Sequence, residues 1–170
     1  VAEGRATQAR GDLLDVKPMP RISGKRPLSE VLAEMRADDA EIAYLDASAV
    51  VKLLVNEPET AALRRRLPAW PRRASAAILR VELLRTVKRS GLPRLLADAR
   101  RQLASIHLIR LDDELLERAA ELEPPTMRSL DAIHLAAALS LGSDLGAVVT
   151  YDARMSDAAQ ALGLPVIGPR

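Results

Sequence analysis

Residues 42–54 read IAYLDASAVVKLL, and residues 146–162 read GAVVTYDARMSDAAQAL. Each opens with a short, uncharged, mainly apolar run, and an aspartate, Asp46 or Asp152, follows it. An apolar run of that length suits a strand covered on both faces, which is the position of a central strand in a parallel sheet. Helical spacing follows each aspartate. The two stretches therefore predict strand–acid–helix units, and an α/β fold with a parallel sheet between helix layers.

Working outward, residues 48–54 and 57–67 predict two helices, and Pro68, Trp70 and Pro71 break the chain. A short strand over 74–78 leads into a helix around 82–89, and Gly91 and Pro93 punctuate. Residues 95–103 read as helix, 106–109 as strand and 112–122 as helix, stopped by Pro124 and Pro125. An Ala-rich helix over 130–141 closes at Gly142. The strand 146–150, a helix over 152–162 and an edge strand at 165–167 complete the series. No internal repeat is present.

Residues 1–39 differ. The first 27 carry Gly11, Pro18, Pro20, Gly24 and Pro27 with scattered charges, which predicts an extended arm that cannot fold alone. Pro27 then suits the first turn of a helix, whose stripe is Leu28, Val31, Leu32 and Met35. An arm plus one amphipathic helix is a partner-binding element. The expected organisation is a tail over 1–39 and one compact domain over 40–170. The chain does not open on Met, which is compatible with a fragment, a processed product or an engineered fusion.

Composition narrows the function. Hydrophobic residues make up 48% of 170, enough for a core, but Tyr44, Trp70 and Tyr151 are the only aromatics. Recognition of RNA by stacking on several aromatics is therefore excluded. The absence of cysteine excludes disulfides and thiolate metal sites and fits a reducing cytoplasm. Neither a membrane span nor a signal peptide is expected. The net charge of +2 is unevenly spread: residues 64–101 balance at +10, 102–170 at −5, 40–63 at −3 and 1–39 at zero. Basic residues beside clustered acids suit a metal-dependent nuclease, because cations attract phosphate and carboxylates hold the metal. A solvated Arg-rich helix surface explains the basic block equally simply.

In open parallel sheets, sites form at the carboxyl ends of strands. Asp46 and Asp152 would share that rim. Asp131 opens the Ala-rich helix, with Ser129 near its N-cap, and Glu82 is the one acid in an otherwise apolar and basic helix. Singly, the aspartates are explained by helix capping and Glu82 by a salt bridge to Arg85 or Arg89. Together, converging carboxylates would repel one another, and a hard divalent cation removes that cost.

YLDASAVVKLL, VELLRTV, SLDAIHLAAAL and VVTYDARMSDAAQALGLPVI resemble, in order and spacing, the motif series of PIN-domain toxins of the VapC kind. The resemblance spans about residues 41–170. It implies a PIN-like α/β/α sandwich, usually dimeric, that cleaves RNA with Mg²⁺ or Mn²⁺. It implies that Asp46, Glu82, Asp131 and Asp152 are the catalytic, metal-binding acids, supported by the hydroxyls of Ser48 and Thr150. Arg85, Lys88 and Arg89 share a helix with Glu82 and are expected to bind RNA phosphates.

RGDLLD, the Pro-rich arm and RPLSEVLAEMRADD resemble the C-terminal tail of a VapB antitoxin. Such a tail wraps its toxin and directs a basic side chain at the acid pocket. Arg26 is the expected inhibitory residue, with Arg21, Lys25 and Arg36 as substitutes. Leu28, Val31, Leu32 and Met35 are expected to dock on apolar toxin helices, Val50–Leu54 included. The expected partners are an RNA substrate, an antitoxin and a second copy of the chain, or a larger toxin–antitoxin assembly.

Other readings carry less. A haloacid-type phosphatase wants Asp-x-Asp at the first strand, where this chain has Asp46-Ala47-Ser48. A non-catalytic PIN-like RNA-binding or interaction module would not need all four acids. His134 lies three positions after Asp131, but two histidines do not make a zinc site. His107 is expected in the core or on the surface. Glu57 is expected to start a helix, with a lesser prospect of acting behind Asp46.

Overall fold

The structure is a computed structural model and describes residues 41–168. The expectations for the arm, for the helix from Leu28 and for Arg21, Lys25, Arg26 and Arg36 fall outside those residues.

Five parallel strands form one sheet in the order β3-β2-β1-β4-β5. They are β1 (Ile42–Leu45), β2 (Arg72–Ala76), β3 (His107–Ile109), β4 (Leu145–Val149) and β5 (Val166–Ile167). Seven α-helices connect them among the described residues. α1 (Ala47–Leu54) and α2 (Thr60–Arg66) follow β1, and α3 (Leu79–Arg89) and α4 (Leu96–Ala104) follow β2. α5 (Asp113–Ala120) and α6 (Ser129–Leu139) follow β3, and α7 (Ala153–Ala161) follows β4. Within the described residues every expected strand and helix is present, with ends moved by a few residues.

The central strand explains the sandwich. Successive side chains of a strand point to opposite faces. Ala43 and Leu45 enter one core, with Val50, Leu63, Leu79, Leu83 and Leu103 of α1–α4. Tyr44 enters the other, with Leu115, Leu135 and Met155 of α5–α7. Leu83 and Leu135 are wholly buried, and each burial contributes roughly 1.5–3 kcal/mol.

The chain builds β1, β2 and β3 outward to one side, then crosses to β4 and β5 on the other. The switch between β1 and β4 is where such sheets open a crevice. A bulge sets the register there: Ile42 pairs with Leu145 but Ala43 with Ala147, leaving Gly146 as the extra residue. A Cβ on Gly146 would lie 2.6 Å from Trp70 Nε1 and from Glu41 Cβ, so the strand passes because that atom is missing. Beyond the bulge Leu45 pairs with Val149. The next residues, Asp46 and Thr150, therefore leave the sheet side by side. No helix among the described residues is long and apolar enough to cross a membrane.

Candidate active site

Asp46 leaves β1 in extended conformation and caps α1, where Oδ1 accepts from Ala49 N at 3.0 Å. Ser48 Oγ donates to the same oxygen at 2.6 Å, and Thr150 Oγ1 donates to Oδ2 at 2.8 Å. Both hydroxyls are themselves held: Ser48 Oγ accepts from Tyr151 N at 2.8 Å and Thr150 Oγ1 from Asp152 N at 3.1 Å. The supporting pair expected at Ser48 and Thr150 thus clamps a carboxyl that is only 6% exposed. Burial pushes the Asp46 carboxyl above the usual aspartate range, against the lowering effect of those three donors.

Asp152 caps α7, its Oδ1 accepting from Arg154 N at 2.8 Å and Met155 N at 3.2 Å. Capping is therefore a true structural role of Asp46 and Asp152 as well. Asp131 does not cap: Arg128 takes the N-cap position of α6, and Ser129, expected near that cap, is its first helical residue. Asp131 has no hydrogen-bond donor among the described residues. Burial raises its carboxyl, the Asp152 charge raises it further, and Arg128 and Arg154 pull it down. The third and fourth acids are therefore electrostatic neighbours.

Glu82 occupies the first turn of α3. Its expected partners were Arg85 and Arg89, but its Oε2 lies 2.8 Å from Nε2 of His134. His134 is 4% exposed on α6, three residues from Asp131. Its Nδ1 lies 2.7 Å from the hydroxyl of Tyr44, which accepts from Ala76 N at 2.9 Å. With Ala76 donating to the phenol oxygen, the phenol proton points to Nδ1, and Nε2–H then donates to Glu82. Burial drives the Tyr44 phenol pKa well above its ordinary value, so it keeps that proton.

Hydrogen bonds and charge interactions link the four acids in series. Asp46 is joined to Asp152 through Thr150, Asp152 to Asp131 through space, and Asp131 to Glu82 through the helix that bears His134. Among the described residues, however, no three acids or histidines are grouped closely enough to form a ready metal-binding cluster. The reason lies in their present engagements: Asp46 is clamped, Glu82 is held by His134 and Asp152 caps its helix. Even so, the donor set fits Mg²⁺ or Mn²⁺. All its oxygens are hard, the second oxygens of Glu82 and Asp152 are uncommitted, and neither Asp131 nor Asp152 forms a salt bridge, among the described residues.

The remaining expectations separate. Glu57 does not start α2 but pairs with Lys52, which also binds Glu59 at 2.9 Å, so it does not stand behind Asp46. Arg85, Lys88 and Arg89 are exposed on α3. Lys88 and Arg89 occupy its last turn, about 9–11 Å along the axis from Glu82 at 1.5 Å per residue. His107 is exposed. His134, Tyr44, Arg128 and Arg154 were not assigned to the site. For His134 one signal was available: it is the lone titratable side chain on the buried face of an Ala-rich helix, one turn after an acid.

Comparison with known proteins agrees with this geometry. The PIN domain family model matches residues 43–161. Ribonuclease VapC46 of Mycobacterium tuberculosis is 50% identical over 126 residues, covering 74% of this chain and 96% of that protein. Ribonuclease VapC47 of the same species is 40% identical over 130 residues, with the same two coverages, 74% and 96%. In fold, the chain is similar to the Mycobacterium tuberculosis toxin VapC20, described as cleaving the sarcin-ricin loop. The TM-score is 0.59 at 18% identity, over 75% of this chain and 99% of that one. A toxin–antitoxin complex from Klebsiella pneumoniae gives a TM-score of 0.58 at 24% identity, over 75% and 98%. With the family model spanning most of the domain and relatives at 40–50% identity, the chain belongs to the VapC branch of the PIN-domain family.

Proposed function

We propose that the chain is a toxin endoribonuclease that hydrolyses RNA phosphodiesters with Mg²⁺ or Mn²⁺ held by Asp46, Glu82, Asp131 and Asp152. What supports this reading is the set of contacts that ties the acids to one another: Thr150 bridges Asp46 and Asp152, and His134, on the helix of Asp131, holds Glu82. The names of the VapC relatives support the same activity.

A divalent cation at such a rim polarises the phosphoryl oxygen and makes water a stronger nucleophile. The chain's own residues prepare the rim. Ser48, Ala49 and Thr150 fix the rotamer of Asp46, and His134 orients Glu82. Asp131 and Asp152, which form no salt bridge among the described residues, would recruit the cation. Water adds to phosphorus as the bond to the leaving ribose oxygen breaks.

Residues 1–39 act as the inhibitor in this proposal, Arg26 taking carboxylates as a bidentate partner in place of the cation. The antitoxin-like sequence of that segment supports this. Its apolar stripe would dock on the toxin helices, and the functional unit would be a homodimer or a larger toxin–antitoxin assembly. The absence of cysteine and the RNA substrate support a cytoplasmic site of action.

The test compares RNA cleavage, with Mg²⁺ and with Mn²⁺, by protein lacking residues 1–39 and by the same protein carrying Asp46→Asn. The deletion leaves the matched region 43–161 whole. Cleavage that needs the cation and vanishes in the variant is expected. Full activity in Asp46→Asn refutes the acidic site.

A further inference from the structure

A groove of about 410 Å³ opens beside Asp131, between the loop ahead of α6 and one face of α7. Met127 and Arg128 form one wall, and Arg154, Asp157, Ala158 and Ala161 the other. The α7 residues are spaced i, i+3, i+4 and i+7, so one stripe of the helix faces the groove. At the end near Asp131 the groove is basic. Neither Arg128 nor Arg154 has an ion-pair partner among the described residues, whereas Arg101 and Arg118 are paired with Asp98 and Glu114. Arg128 stands at the N-cap position of α6, where a guanidinium, a donor only, cannot cap the helix N–H groups. Both arginines line the groove together with Asp131. Farther in, Met127, Ala158 and Ala161 make the walls apolar, and Asp157 adds a single acceptor.

We propose that this groove is the subsite for one unpaired nucleotide beside the bond that is cut, with Arg128 and Arg154 gripping its flanking phosphates. The inference rests on the ribonuclease reading and adds to it the residues that overcome a specific difficulty. A rim of four carboxylates repels phosphate, and two planar guanidinium forks beside Asp131 reverse that repulsion where the phosphate must sit. The volume lies within the 300–1,000 Å³ or so of small-molecule sites, so it takes one splayed-out nucleotide and not a duplex. No aromatic residue lines the groove, so the base lies against Met127 and the small Ala158 and Ala161. Asp157 accepts a hydrogen bond from an exocyclic amine and repels a carbonyl edge. The subsite therefore prefers adenine or cytosine to uracil. Arg85, Lys88 and Arg89 become outlying contacts.

The test measures binding of short single-stranded RNA to the chain lacking residues 1–39, which keeps the matched region 43–161 whole, made inert by Asp46→Asn, over a series of salt concentrations. Because it reads binding, it is independent of whether the parent protein cleaves RNA. Replacing both Arg128 and Arg154 by Ala is expected to lower affinity by about tenfold or more. It should also reduce the salt slope by about 1.4, or about 0.7 for each single-strand phosphate that is no longer neutralised. Lysine at both positions should restore the slope but not the full affinity, because a point charge lacks the fork. The methyl resonance of Met127 should shift on RNA addition while that of the buried Met155 stays. Oligonucleotides with adenine or cytosine should outbind uracil ones, and Asp157→Ala should erase the difference. Unchanged affinity and slope in the double variant, or no RNA binding by the inert parent, overturns the subsite. Equal binding of all three bases by the parent overturns the role of Asp157.

Discussion

Glu82 Oε2 and His134 Nε2 lie 2.8 Å apart although 52 residues separate them in the chain. The imidazole is fixed from behind by Tyr44, and Tyr44 by the backbone of β2. Glu82 is therefore positioned by a buried chain of hydrogen bonds that ends in the sheet itself.

His134→Ala should weaken Mn²⁺ binding by about 10–100-fold, the usual effect of losing the partner that orients a metal-binding side chain. Calorimetric titration of the folded variant checks this. An unchanged dissociation constant would show that Glu82 needs no such support.

Tyr44→Phe removes one hydroxyl and leaves Ala76 N–H without its acceptor and His134 Nδ1 without its donor. A buried group left unsatisfied costs about 1–3 kcal/mol. The urea midpoint should fall by that equivalent with an unchanged slope. A variant as stable as the parent would contradict the arrangement.

Gly146→Ala should destabilise the protein by about 1–3 kcal/mol, the range for overpacking a filled site. The added Cβ would meet Trp70 and Glu41 at 2.6 Å. Activity should fall as well, since the bulge sets Thr150 beside Asp46. Thermal unfolding and cleavage assays on one sample read both effects; a neutral outcome in both would show that the bulge tolerates a side chain and does not set the rim.

The pKa of Asp131 is raised by burial and by Asp152. A carboxyl with a higher pKa folded than unfolded favours folding while protonated and opposes it once ionised. The penalty is absent below the unfolded value of about 3.9, grows as pH rises and is complete above the folded value. In chelator, Asp131→Asn should match the parent near pH 3–4 and exceed it in stability at neutral pH. Denaturation series at several pH values test this. A variant less stable than the parent at pH 7 would mean that Asp131 already has a counterion.

Deleting residues 1–39 should release ribonuclease activity, and Arg26→Ala should release part of it, with Arg21, Lys25 and Arg36 the next residues to replace. Cleavage rates of the three proteins, compared at equal concentration, decide the matter. Equal rates would leave the segment without an inhibitory role.

The architecture was legible in the sequence, and so were the acids that end its strands. Apolar runs such as 42–45 and 146–149 can be satisfied only between two helix layers, and an acid at the end of each falls on the rim where parallel strands finish. These are local patterns, set by the period of a strand or a helix. What holds the acids was not local. Thr150 reaches Asp46 across 104 positions and His134 reaches Glu82 across 52, and each contact depends on strand order and on a one-residue bulge. Arg128 and Arg154 are far apart in the chain and meet only because α6 and α7 cover the same face of the sheet. Lys88 and Arg89 show the complementary effect: on a helix, six or seven residues are about two turns, so charge close to Glu82 in sequence stands farther along the axis.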